Sequence, residues 1–376
     1  MATEMIEEIL SLHEEWKNEW ARLKDVDAPL ILFGGGCTSS FILNEFRSKG
    51  VYPACFCDNS KDKQGKRIDD LSILSVQDAM NQFCDGLYYI TTQLYYTQIR
   101  DQLLYMGIPA DRIIQYDLIC QFEWEKNYLQ FIEQHKNKLS ELIDSMADDK
   151  SKEVIFARLK FLVTRKRDYV CNVRGKVQYF DTSIIEYENI NAFIDVGLYT
   201  GDSVLEFEKY NSMHECIIYG FELDDELYNC AEKNLKHLGN KVKLIKKAVS
   251  DKDGIQHINS MLGEMQSISG IFGESDASLD HTVETCRLDS VLDENMSNAF
   301  IKMDIEGAEM LALQGAESFI SNNHPLLAIC IYHKAEDIIE IPRIIKKYYD
   351  EYKFYVRHYS DNQTETVLYA VPETGN

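Results

Sequence analysis

The chain has 376 residues, enough for two domains with cores of their own, and an ordinary globular composition. Its net charge of −23, with no strong basic patch, excludes nucleic acid as a partner, because a phosphate backbone would be repelled. The acidic N-terminus resembles no signal peptide, no apolar run is long enough to span a bilayer, and the ten cysteines are scattered without a CxxC pair, so a cytoplasmic protein with reduced thiols and no zinc site is expected.

Residues 3–24 place Ile6, Ile9, Leu10, Trp16, Trp20 and Leu23 at helical spacing among acids. This predicts one amphipathic helix over 1–25, packed on its own domain or on a second subunit of a homodimer. Leu30 to Phe33 reads as a buried strand, Gly34 to Gly36 as its turn, and Ser39 to Lys49 as a helix. Strands are expected at Val51–Cys57, Tyr88–Thr91 and Arg112–Gln115, with a helix over Tyr95–Met106, making 26–117 one α/β domain. Residues 118–174 read as a helical connector, broken at Asp148–Ser151, whose basic run from Lys160 to Arg174 is expected to be a solvated face. Alternation returns over 175–376, with strands near 192–196, 217–222, 242–249, 299–304 and 326–332 and a closing pair near 353–358 and 366–371. The fold class is therefore α/β: two Rossmann-like doubly wound sheets joined by the connector.

The densest signal is the strand that ends in Asp195 and runs into Gly197 and Gly201, followed by a helix and a second strand ending in Phe221-Glu222. Such a unit fits a nucleoside: glycines let the backbone approach the ligand, and the acid accepts the ribose hydroxyls. The loop is GxxxG and not GxGxxG, which favours S-adenosylmethionine over a dinucleotide. Glu222 is the expected ribose acceptor, Asp195 faces the methionine ammonium or orders the loop amides, and Ala248 and Val249 flank adenine. Tyr179 and Tyr199 offer aromatic faces to the sulfonium, and Ser267 and Ser269 lie in a polar segment, 263–273, suited to closing over the site.

The string Asp195-Val-Gly-Leu-Tyr-Thr-Gly-Asp202, then Phe221-Glu222, Ala248-Val-Ser-Asp-Lys-Asp-Gly254, Leu288-Asp289 and Ile301-Lys-Met-Asp-Ile-Glu-Gly-Ala-Glu309 resembles the FkbM-type methyltransferases over about 175–372. The departures are Leu223 for the usual proline, Leu198 for a small residue and Thr200 for an acid. The resemblance implies a seven-stranded class I methyltransferase sheet, S-adenosylmethionine as cofactor with Asp202 in its loop, and a sugar hydroxyl as acceptor, on a nucleotide sugar or a surface glycan precursor. Asp304 and His333 end neighbouring strands, so their side chains can converge beyond the sheet. His333 is the expected base, Asp304 or Glu306 its orienter and Lys302 a partner for the developing alkoxide. The same Asp304, Glu306 and His333 suit a magnesium ion, although no dedicated metal motif is present. Lys302 and Glu309 have the plainer alternative of an ion pair closing a helix start.

The first domain resembles nucleotide-sugar-binding domains. Gly34, Gly36 and Ser39 stand near the GxGxxG pattern, and Asp58 stands where a ribose-binding acid is expected. Two other functions stay open on these residues: an NAD-dependent sugar-modifying enzyme acting through the first domain, and a non-catalytic ligand-binding scaffold in glycan biosynthesis.

Overall fold

Short buried strands alternating with helices build two parallel-dominated sheets, one in each half of the chain. The computed structural model describes residues 2–36, 38–92, 95–119, 127–212, 216–257 and 282–373. Ser267 and Ser269 lie outside the described residues.

The chain opens with two helices, α1 (Ala2–Leu10) and α2 (Glu15–Asp25), in place of the single helix expected. Their apolar faces serve different cores, which one straight rod does not do here. Ile6 and Ile9 join the cluster beside the second sheet, whereas Trp16, Trp20 and Leu23 pack against the first. The helix that suggested a second subunit therefore packs within the chain.

The first sheet holds β1 (Leu30–Phe33), β2 (Cys55–Cys57), β3 (Arg67–Ile68), β4 (Leu71–Leu74) and β5 (Leu87–Ile90), in the order β3-β4-β2-β1-β5. All pairs are parallel except the β3–β4 hairpin, which sequence reading missed because both strands are short and half-exposed. Helices α3 (Ser39–Ser48), α4 (Val76–Gln82) and α5 (Tyr96–Tyr105) accompany it. The strand expected at 112–115 reduces to one bridge between Ile113 and Tyr88 after a short 3₁₀ turn.

The connector forms α6 (Tyr128–Ser145), α7 (Asp149–Thr164) and α8 (Asp168–Cys171). Asp148 caps α7 by accepting from the Ser151 amide, which explains the break seen in the sequence. Its basic run is not a solvated face throughout. Arg167 is buried, pairs with Asp117 at 2.8 Å and lies 4.7 Å from the Tyr96 ring, so it bonds the connector to the first sheet.

The second sheet is built from β6 (Ala192–Val196), β7 (Ile217–Phe221), β8 (Val242–Ile245), β12 (Ala299–Met303), β13 (Leu326–Cys330), β14 (Tyr352–His358) and β15 (Thr366–Pro372). Their order is β14-β15-β13-β12-β6-β7-β8, with β15 antiparallel to both neighbours. The run expected over 242–249 is divided: β9 (Ala248–Val249) leaves for a small sheet with β10 (Gly254–His257) and β11 (Thr282–Cys286). Helices α9 (Asp202–Phe207), α10 (Asp225–Asn234), α11 (Leu288–Val291), α12 (Glu309–Gln314), α13 (Glu317–Asn323) and α14 (Asp337–Tyr348) complete this half. Two apolar clusters cover the faces of this sheet, and α6 and α7 belong to one of them. The connector is thus part of the second core.

Candidate active site

Beyond the carboxyl ends of β6, β7 and β12 lies a cavity of about 1400 Å³. This is the place where open α/β sheets receive ligands. The loop after β6 touches the loop after β12: a Cβ on Gly197 would stand 2.0 Å from the Asp304 carbonyl oxygen, and its φ is +86°. Only glycine meets both demands. Gly201, at φ +82°, caps α9.

Glu222 directly follows β7 and lines the cavity. Its Oε2 accepts from the Tyr199 amide at 2.8 Å, and its Oε1 accepts from the amides of Leu223 and Asp224 at 2.8 and 2.9 Å. Burial pushes this carboxyl upward and those amides oppose the shift. Gly197, Tyr199, Asp202, Ala248, Val249 and Tyr179 also line the cavity, so most of the expected cofactor residues converge. Gly201 does not reach the wall, and neither does Asp195.

Asp195 has a different task. It lies opposite Lys302 across the β6–β12 ladder and is fully buried. Its Oδ1 is 3.0 Å from Lys302 Nζ, and its Oδ2 accepts from the Ser203 hydroxyl. Lys302 also donates to the Gly197 carbonyl at 2.6 Å. Burial works against the ammonium, but Asp195 and Asp304 outweigh it and hold Lys302 above the ordinary lysine value. Asp195 therefore braces the glycine loop through Lys302. Lys302 closes no helix start with Glu309.

The acceptor end is built on Asp304. Its Oδ2 accepts from the Tyr179 hydroxyl at 2.6 Å and its Oδ1 from the Tyr332 hydroxyl at 3.1 Å. Burial raises this carboxyl, but His333 and Lys302 prevail and keep it ionised. His333 is fully buried and stands off the cavity wall. Its Nδ1 is 2.9 Å from Glu309 Oε1, while Nε2 faces Asp304 and Glu306 at 3.4 and 3.6 Å. Burial disfavours the imidazolium, yet Glu309, Asp304 and Glu306 push its pKa up to about 10. The carboxylates around His333 thus favour its imidazolium form. Its orienter is Glu309, a buried residue that also caps the Ile305 amide at 2.9 Å, and not Asp304 or Glu306. The five-residue step from Asp304 to Glu309 was the available signal.

Among the described residues, Asp304, Glu309 and His333 form the one group with ligand atoms within 4.8 Å of each other. Glu309 meets the Nδ1 edge of the ring whereas Asp304 and Glu306 face the Nε2 edge, so one ion does not join all three carboxylates through the imidazole. Glu365, from the loop between β14 and β15, was missed entirely. It lines the cavity beside Asp304, accepts from Gln178 Nε2, and burial together with Asp304 raises it to about 7. No local pattern announces it, because a hairpin brings it there from sixty residues downstream.

In the first domain the loop after β1 closes on itself. Asp58 accepts from the Gly35 and Ser60 amides, each at 2.8 Å, and from Lys63 at 3.1 Å. Burial opposes its charge, but these donors hold Asp58 below the usual carboxylate range. The Gly34 amide donates to the Cys57 carbonyl at 2.8 Å, and Ser39 Oγ donates back to the Gly34 carbonyl at 3.1 Å. Two of the three glycine amides expected to hold phosphates are already bonded.

A seven-stranded sheet of this order, with a glycine loop and an acid lining a cavity at its switch point, is the fold of a class I methyltransferase. Residues 195–354 match the Methyltransferase FkbM domain and residues 26–114 the C2185-like N-terminal domain. The chain carries an FkbM methyltransferase domain and is an S-adenosylmethionine-dependent enzyme of that type. The solved structure of methyltransferase FkbM from Methylobacillus flagellatus KT shares the fold with a TM-score of 0.69 at 18% identity, over 98% of this chain and 97% of that one. An S-adenosylmethionine-dependent methyltransferase from Aquifex aeolicus overlaps more loosely, with a TM-score of 0.31 at 13% identity over 55% of this chain and 97% of that one. No curated protein matches the chain.

Proposed function

We propose that the protein transfers the methyl group of S-adenosylmethionine to a sugar hydroxyl, on a nucleotide sugar or a surface glycan precursor, in the cytoplasm. The observation that supports this reading most is Asp304, an ionised carboxylate on the cavity wall held by two tyrosine hydroxyls and backed by His333 and Glu309. The cofactor supplies an electrophilic methyl group. Asp304 would take the proton of the acceptor hydroxyl as the methyl group is transferred. The imidazolium of His333 steadies the charge on the carboxylate side, and Tyr179 and Tyr332 fix the orientation of Asp304. Glu222 holds the ribose and the glycine loop the methionine end. Juxtaposition supplies about 7–11 kcal/mol in such reactions, so a modest base suffices.

The test is transfer of labelled methyl from S-adenosylmethionine to a panel of sugars and nucleotide sugars, read by mass spectrometry. Asp304→Asn should lower kcat by about 10²–10⁴-fold and leave adenosylhomocysteine affinity unchanged. Label in no carbohydrate while the cofactor binds, or an undiminished Asp304→Asn rate, would count against this reading.

A further inference from the structure

A second cavity, of about 10 Å³, lies against residues 331–335, the segment after β13 that carries Tyr332 and His333. Apolar side chains such as Phe131, Leu159 and Ile338 line it together with two cations, Arg158 of α7 and the half-buried Lys334. Arg158 is only 4% exposed, and although burial pulls its pKa from 12.5 down to about 10, its guanidinium stays charged at neutral pH. One terminal nitrogen donates to the Gln363 carbonyl at 2.5 Å and to the Thr366 hydroxyl at 2.6 Å, while Nε has no partner. Both of those acceptors are neutral. Among the described residues neither Arg158 nor Lys334 forms an ion pair. Asp337 attracts Arg158 from beyond ion-pair distance and is itself pushed up to about 7 by burial and Glu309. His358, whose Nδ1 meets the same Thr366 hydroxyl at 2.9 Å, is kept neutral by burial and by the Arg158 charge. A buried charge without a counter-charge is among the costliest features of a core.

We propose that a halide ion, chloride in ordinary solution, binds between Arg158 and Lys334 and anchors the segment whose Tyr332 hydroxyl holds Asp304. The anion takes the free Nε–H as a donor and balances charge that no side chain balances. The volume suits about one water-sized particle, which a halide approaches and an oxyanion such as phosphate exceeds. A water molecule there would satisfy Nε and leave both cations uncompensated.

The experiment is thermal unfolding of the full chain in chloride against gluconate, an anion too large for the cavity, at constant ionic strength. About a hundredfold rise in chloride, gluconate making up the difference, should raise Tm by about 3 °C. Arg158→Met should abolish that response, and Lys334→Met, at a half-buried side chain, should at least halve it. A crystal soaked in bromide should show an anomalous peak in contact with Arg158, which decides the matter even where Arg158→Met does not fold. Equal Tm in chloride and gluconate overturns the proposal, as does a chloride response that both variants keep in full. A bromide soak with no peak beside Arg158 overturns it as well. None of these outcomes bears on the methyl acceptor, so the sugar-hydroxyl reading stands or falls separately.

Discussion

The two halves of the chain carry the same local device and put it to different ends. Each has a buried strand, a glycine loop, a helix and a second strand followed by an acid: Asp58 after β2, Glu222 after β7. Both acids bond loop amides. The difference lies in what occupies the crevice beyond the strands. In the first sheet the Thr91 hydroxyl bonds the turn after β1, 2.9 Å from the Phe33 carbonyl and 3.0 Å from that of Gly34. The helix that starts there, α5, has its Thr97 amide bonded at 2.9 Å to Asp361, a buried residue of the other half. In the second sheet the corresponding space is the large cavity. A glycine loop with an acid is a scaffold for a ligand, and the third dimension decides whether the space is filled by ligand or by protein.

The largest effect that sharpens this contrast is on cofactor affinity. Glu222→Ala should weaken adenosylhomocysteine binding at least about 100-fold, because two charge-assisted bonds worth about 1.5–3 kcal/mol each are lost. Asp58→Ala should leave that affinity within about twofold. Calorimetry on the pair checks this, and equal losses would mean that the first crevice takes the cofactor.

Next comes the buried ion pair. Lys302→Met strands the Asp195 carboxylate in the core and should cost about 3–5 kcal/mol in urea unfolding. Adding Asp195→Asn should recover most of it. A single variant as stable as the parent would show that Lys302 does not brace the loop.

Gly197→Ala follows, with an expected loss of about 2–4 kcal/mol, since the new methyl collides with the Asp304 carbonyl at a positive φ. Gly36→Ala, with no heavy atom within 4 Å, should change stability by less than about 0.5 kcal/mol. Similar costs at the two sites would erase the distinction between a packed and an open glycine loop.

The smallest effect concerns acid. Burial, and then Arg158 nearby, depress the pKa of His358 from 6.5 to about 3. The unfolded chain therefore binds this proton first. The contribution of neutral His358 is complete above pH 6.5 and is lost as the pH falls toward 3. Stability should drop by about 2 kcal/mol between pH 7 and pH 5 from this residue. His358→Gln should flatten that slope, and an unchanged slope would assign the acid sensitivity to other groups.

Much of the second half was legible because its signals are local. Sequence patterns placed most strands of the large sheet within a residue or two, the run over 242–249 apart, and Asp195 to Asp202, Glu222 and the run from Ile301 to Glu309 pointed to the cavity. Roles were less legible than places. Asp195 stands at the end of the right strand, yet it faces Lys302 because the β6–β12 register puts the two opposite each other. His333 follows the right strand, yet the carboxylates around it favour its cationic form.

By itself, the sequence determined the two-sheet plan, the glycine loop after β6 and the acid after β7, because each depends on residues within one strand–loop–helix unit. Only the tertiary structure decided which acids reach the ligand, that α1 and α2 separate to serve two cores, that Arg167 is buried, and that Glu365 joins the site. Those outcomes depend on register, burial and the field of neighbouring charges, and these bring together residues that the chain keeps far apart.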